Sequence, residues 1–400
     1  MADLPCANCG AQLTYSPGTD RMTCPYCGAE NELPAEETGP WDSPPARLVE
    51  RDLEETLRDL ASVEAGEGAE IAVARTIRCT GCGAEVGFEG GTQGNRTAMR
   101  TAETTLADRC PFCATPLAFD AAHDHRHPKP QGVLPFSITE PEARGKLREW
   151  LASRWFAPSD LKRFAEASRP IHGVYVPHYT YDASAVSDYR GQRGDAYYVT
   201  QTFTDGKGRT RTRQVRKVRW RPVSGQVRLF FDDVLVPATA TLTEFSPPAA
   251  VDSSTDWDLD AMAPYATHFL AGFRAEAPSL PLGEGFQRAT EAMEQALRRA
   301  VRDDIGGDEQ RISGMRTRYG SKTFKHVLLP VWLAAYRFGN EPYRAAINGR
   351  TGRVTGQRPY SWLKIGLAVL AVIVLLGVLY LLGGGSDLIE SYGSGTIRFD

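Results

Sequence analysis

Eight cysteines fall in four C-x-x-C pairs, Cys6/Cys9, Cys24/Cys27, Cys79/Cys82 and Cys110/Cys113, all in the first 113 of 400 residues. A C-x-x-C turn presents two thiolates to one metal, and two such turns complete a tetrahedral four-cysteine zinc site. The first two pairs are 14 residues apart and the last two 27. Two turns joined by a short hairpin make a zinc ribbon. Glycine follows Cys9, Cys27 and Cys82, and proline follows Cys24 and Cys110, giving the CPYCG and CPFC knuckles. The spacing predicts two structural Zn²⁺ ions. All four coordination positions of each are filled, so no open position remains for catalysis. A segment of about 30 residues cannot fold by burial alone, so metal binding, roughly 10–16 kcal/mol, would supply most of its folding energy. Disulfides are the competing reading. The start MADLPCANCG has neither the basic residues nor the apolar stretch of a secretory signal, which favours thiolates. His123, His125 and His127 follow the last pair but read as part of a solvated linker rather than as ligands.

The run IGLAVLAVIVLLGVLYLL, Ile365 to Leu382, has no charge and no proline. At about 1.5 Å per residue it is long enough for a bilayer's hydrocarbon core. Trp362 and Tyr380 lie near its ends, where amphipathic aromatics prefer to sit. Arg344, Arg350, Arg353, Arg358 and Lys364 precede it, whereas Arg398 alone follows among Asp387, Glu390 and Asp400. That asymmetry predicts a single-pass protein of the inner (cytoplasmic) membrane. Its N-terminal bulk would be cytoplasmic and its short C-terminal tail outside.

The elements that must position these features are of mixed type. Glu36 to Glu70 carries 11 acids against 3 bases, and Leu48, Leu53, Leu57 and Leu60 recur near helical spacing. Thr139-Glu-Pro-Glu142 is a capping box that opens a helix with Leu147, Trp150, Leu151 and Trp155 on one face. A second helix from about Glu284 places Phe286, Ala289, Met293, Leu297 and Val301 on one stripe. VYVPHYTY (Val174–Tyr181) and VLLPVWLA (Val327–Ala334) share an apolar–Pro–x–aromatic pattern, and each follows a helix, which suggests a duplicated helix-plus-sheet unit. Asn348-Gly349 predicts a two-residue type I′ turn. The expected fold is α+β, divided as ribbon 1 (1–33), acidic helical linker (34–70), ribbon 2 (71–120), Pro/His-rich linker (121–138), half 1 (139–280), half 2 (281–360), transmembrane helix (361–382) and tail (383–400).

Lys207 to Arg221 holds eight Lys/Arg and no acid, and alternation would set Arg209, Arg211, Arg213, Lys217, Arg219 and Arg221 on one strand face. The readings are a solvated face, anionic lipid headgroups, an acidic partner or nucleic acid. A net charge of −3 argues against a dedicated nucleic-acid binder. No catalytic constellation is present. GMRTRYGSKT (Gly314–Thr323) misses the phosphate-loop spacing, and neither H-E-x-x-H nor G-x-S-x-G occurs. His172, His178, His268 and His326 are scattered, and Asp232-Asp233 reads as a turn or strand end. A non-enzymatic protein is expected.

The two ribbons, VYVPHYTYDA, RWRPVSG, FDDVLVP and INGRTGRVTGQRP before a terminal span resemble one group. It is the bacterial membrane-anchored TFIIB-type zinc-ribbon proteins, often labelled primosomal protein N′ (superfamily II helicase)-like. The chain has no helicase ATPase motif. The resemblance implies a scaffold or recruiter at the cytoplasmic membrane face, with SPFH/band-7, TPM-domain or PspA-like membrane-stress proteins as partners. By motif it carries over only the eight cysteines. The wide gap of the second ribbon departs from the pattern. The alternative function is a membrane-tethered nucleic-acid binder that uses the ribbons and the basic hairpin.

Overall fold

The computed structural model describes residues 4–32, 48–62, 71–78, 85–88, 123–156, 158, 171–204, 206, 208–239, 257–338 and 341–382. The described chain begins with three short strands, β1 (Thr14–Tyr15), β2 (Arg21–Thr23) and β3 (Glu30–Glu32), then β4 (Arg51–Asp52) and helix α1 (Leu53–Ala61). Next come β5 (Ile71–Arg78), β6 (Glu85–Phe88), β7 (His123–Pro128), β8 (Gly132–Val133) and α2 (Glu140–Ala152). Two long strands follow, β9 (His172–Thr204) and β10 (Thr210–Pro237), with β11 (Ala263–Pro264) and β12 (Arg274–Ala275) after them. The chain closes with α3 (Leu282–Ile305), β13 (Glu309–Phe338), β14 (Glu341–Asn348), β15 (Val354–Gly356) and α4 (Trp362–Leu382). The result is a mixed α/β protein with large antiparallel sheets and one apolar C-terminal helix.

The main sheet runs β10–β9–β13–β14–β15, with β4, β8, β11 and β12 attached at its sides. Its symmetry is visible in the register. Val176 pairs with Leu329, so the two apolar–Pro–x–aromatic segments lie antiparallel about their own equivalent residues. Two hairpins, β9/β10 and β13/β14, are thus joined back to back through their first strands. Each helix covers the other hairpin: α2 packs on β14 and β15, α3 mainly on β10 and β9. Ala289, Met293, Leu297 and Val301 are buried along α3, as the stripe requires, and Ile305 continues it. Thr139 and Glu142 form the capping box of α2. This helix stops at Ala152, however, and leaves Trp155 exposed beyond its end instead of on its buried face.

Three other expectations change. The acidic segment is not only a linker. Leu53 of α1 is buried in the core beside Tyr179, Tyr181 and Phe324, and Leu57 and Leu60 pack against it. Leu48 lies outside the helix, over Gly132. The Pro/His-rich stretch is not a solvated linker. It forms β7 and β8, and His127 is buried with its ring 5.9 Å from that of His326. The turn at Asn348-Gly349 is longer than two residues. Gly349 is not left-handed; Gly352 is, at φ +72°. The Asn348 side chain accepts from the amides of Arg350 (2.8 Å) and Thr351 (3.0 Å), so it caps a wider loop. Gly349 is needed for another reason: a Cβ there would sit 2.7 Å from the carbonyl oxygen of Pro330.

Candidate metal centre and the surfaces around it

The first two cysteine pairs converge. Cys6, Cys9, Cys24 and Cys27 offer sulfurs that all lie within 4.8 Å of one another. Cross-knuckle distances are 3.7 Å for Cys6–Cys27 and 3.5 Å for Cys9–Cys24. A regular tetrahedron with Zn–S near 2.3 Å has edges of about 3.8 Å, so the donor set fits zinc, and no disulfide joins these thiols. The two knuckles repeat one geometry. Gly10 N–H donates to Cys6 O at 2.8 Å and Gly28 N–H to Cys24 O at 2.9 Å, with both glycines left-handed at φ +74° and +71°. A side chain would strain either turn.

The electrostatics of the bare thiols show what a cation would relieve. The Ala29 amide, with Asn8, holds Cys27 down at about 6. On Cys9 the Ala11 amide pulls downward, but the Cys24 and Cys27 thiols carry it up to about 12. Four sulfurs this close cannot all ionise without a positive ion among them. Cys6 and Cys24 are buried on Leu13 and Met22, whereas Cys9 and Cys27 face solvent. Cys79, Cys82, Cys110 and Cys113 lie outside the described residues, so the described structure supports one candidate site.

This ribbon is not a loose appendage. Tyr15 is 5% exposed and its ring meets Phe269 edge-on at 5.4 Å. Tyr15 N–H donates to Ala271 O, and Gly18 N–H to Phe136 O. Phe136 stacks on Phe273 at 4.4 Å within the cluster that holds Tyr175, Trp332 and Ile347. Ile347 pairs with Val354 of β15, the last strand before α4. The ribbon therefore docks on the same core cluster as β14, the strand beside β15. Ser361 N–H donates to Phe156 O at the start of α4. The window Trp362–Leu379 has a mean hydropathy of 2.6 and none of it is buried.

The basic hairpin turns between Thr204 and Thr210, which pair. Arg211, Arg213, Lys217, Arg219 and Arg221 share one face of β10, with Arg209 just before it, and all six are exposed. Arg213 lies 5.5 Å over Phe203 and Arg219 5.4 Å over Tyr197, while Arg221 reaches Asp195 at 3.8 Å. β13 pairs with β9 only as far as Gly194, so beyond that row the hairpin is a two-stranded ribbon.

One buried cluster escaped the sequence reading. Lys325, with its side chain 7% exposed, lies 2.7 Å from Asp233, 3.3 Å from Glu50 and 3.7 Å from Asp182. Both neighbouring strands bulge here, between Phe231 and Val234 and between Gly320 and Thr323. Asp233 and Ser321, one in each bulge, have positive φ. Asp233 thus bends in to donate its amide to Asp182 at 2.5 Å. Burial pushes Asp182 up to about 6 despite that amide and Lys325. Glu50 is also partly desolvated, but the Thr323 hydroxyl and Lys325 hold it below the usual carboxylate range. Glu50, Asp182 and Asp232 could also be read as metal ligands, but the Lys325 ammonium already supplies a cation there. The cluster pins α1 to the sheet. No sequence spacing signals it, because its members come from four separated segments. Of the scattered histidines, His178 and His326 are core residues whose pKa burial lowers, to about 4 and about 3.

The fold and site define an α/β chain with an N-terminal tetrathiolate ribbon and a C-terminal apolar helix. It is similar to the uncharacterized protein YdjG of Bacillus subtilis (strain 168), 24% identical over 386 residues, covering 95% of this chain and 98% of the relative. No family model matches the chain, and no solved structure matches it.

Proposed function

We propose that the chain is a non-enzymatic, single-pass membrane scaffold or recruiter. Its ribbons and sheet would face the cytoplasm, its short tail would lie outside, and each ribbon would carry a structural zinc. The partners proposed are SPFH/band-7, TPM-domain or PspA-like membrane-stress proteins. The observation that carries the reading is the firm docking of the ribbon, with Tyr15 buried in the main core, in a chain that also carries an exposed apolar helix long enough to cross a bilayer. A closed four-cysteine site has no position for substrate, but it makes a rigid docking knob. The test is a crosslinked pull-down of the full chain from native membranes beside a version lacking residues 365–382. Recovery of such membrane proteins with the anchored form alone supports the reading, and their absence defeats it.

A second reading, a membrane-tethered nucleic-acid binder, is favoured by one feature, the basic two-stranded ribbon. A ribbon of that shape can enter a duplex major groove. It requires duplex binding by the full chain that falls steeply with salt.

A further inference from the structure

The hairpin's cations are not the only ones on the sheet. Residues of even number in β9 and β10, and the β13 residues that register with them, form the opposite face. Between the rows of Ser184 and Tyr198 that face carries Arg190, Arg216, Arg228, Arg311, Arg316 and Arg318, against Asp188 and Glu309. Arg216 is paired with Glu309, and Arg318 with Asp188 at 3.0 Å. Arg311 lies over the Trp220 ring at 3.8 Å. Phe230 and Tyr198 are 68% and 65% exposed on the same face.

From the row of Ser184 to that of Arg190 the charge is one-sided, whereas farther out the hairpin's Lys217, Arg219 and Arg221 lie on the other face. In the inner rows that other face is covered by α3, where Val301 and Ile305 pack on Tyr189, Val223 and Met315. That helix carries five acids and four arginines, so its outer surface is close to neutral. No described element covers the arginine face. Arg190, Arg228, Arg316 and Arg318 spread over three adjacent strands and two same-face steps, a patch of about 10 by 14 Å.

We infer that this face is a docking surface for the anionic lipid headgroups of the membrane in which the chain is anchored. The inference rests on the reading of α4 as a membrane span. Guanidinium groups beside exposed aromatics on one bare face suit a planar, anionic interface. Tethering by α4 also holds the leaflet at high effective concentration, so individually weak contacts add up. The sheet would then lie along the membrane when the leaflet is anionic and swing free when it is neutral.

The test uses the full chain in lipid nanodiscs of phosphatidylcholine, with or without phosphatidylglycerol. Benzoylphenylalanine replaces Phe230, or Glu291 on α3 as a control, for photocrosslinking. The expected result is a lipid adduct at position 230, only with phosphatidylglycerol, and none at position 291. The triple variant R190E/R228E/R316E should lower the adduct by at least about tenfold. So should raising salt to about 1 M, where the Debye length is about 3 Å. These arginines are exposed, and an unchanged urea unfolding midpoint confirms that the variant folds. No adduct in anionic discs, or equal adduct in neutral discs, overturns the inference. Abolition of the adduct by a bound fluorescein-labelled DNA duplex also overturns it and assigns the face to nucleic acid. Failure to co-elute with the disc defeats the membrane span itself, which separates the two failures.

Discussion

Replacing Lys325 by Met tests whether the carboxylate cluster is held by its lysine. The side chains are similar in length, but the variant leaves Asp182, Asp233 and Glu50 without their cation. Removing one partner of a buried ion pair costs about 3–5 kcal/mol. Glu50 and Asp233 have side chains 41% and 31% exposed, so water screens part of the loss, and about 3 kcal/mol at pH 7 is expected. The pH dependence is the sharper test. Asp182 sits at about 6 in the folded protein because burial raises it. A raised carboxylate contributes stability that is full below its unfolded value, near 3.9, and is lost as pH rises through about 6. Without Lys325 its pKa climbs further, so the folded variant stays protonated where wild type ionises. Between pH 7 and pH 5 the deficit should therefore shrink by about 1.4 kcal/mol, one pKa unit. The assay is urea unfolding of the full chain in detergent, variant against wild type at each pH, so that zinc loss common to both cancels. A deficit that is equal at both pH values, or absent at pH 7, refutes this account of the cluster.

Cys24→Ser should lower bound zinc by one ion per chain, measured by metal analysis after gel filtration, and X-ray absorption of wild type should show sulfur near 2.3 Å. Retention of the ion by the variant would contradict the four-cysteine assignment. Tyr15→Ala should leave the zinc content unchanged while the ribbon becomes sensitive to protease, because the ring docks the ribbon and binds no metal; unaltered resistance would mean that the backbone bonds alone hold it. Gly349→Ala should destabilise by about 1–3 kcal/mol through the clash with the Pro330 carbonyl, a rigid neighbour, and an unchanged unfolding midpoint would show that the turn can relax. The full chain should resist alkaline carbonate extraction from membranes, and deletion of 365–382 should release it; release of both forms would end the membrane reading.

Features written in local spacing were legible from the sequence. Cys6, Cys9, Cys24 and Cys27 meet because a C-x-x-C turn brings two sulfurs together by itself and a three-stranded hairpin unit brings the two turns together. The α3 stripe follows from the 3.6-residue period. The α4 run is apolar on all sides, so no tertiary partner is needed to recognise it. The alternation of Arg211 to Arg221 became a strand face for the same local reason. What failed locally is also instructive. Asn348-Gly349 has the letters of a tight turn, but the close approach of Pro330 and the Asn348 side-chain bonds chose a wider one. His127 has the look of a solvated histidine until β7 carries it against His326.

Tertiary structure decided whatever depends on residues distant in the chain. Glu50, Asp182, Asp233 and Lys325 form one cluster only because β9 is flanked by two bulged strands and α1 docks across them. The arginine face likewise draws on 190, 216, 228, 311, 316 and 318, positions with no shared period until three strands set them side by side. The pairing of Val176 with Leu329 turns a weak internal repeat into a joined pair of hairpins. Sequence determines the chemistry and local period of each element, because those depend on bonded geometry and near neighbours. Strand register and burial determine which distant charges share one environment, and only the folded chain supplies them.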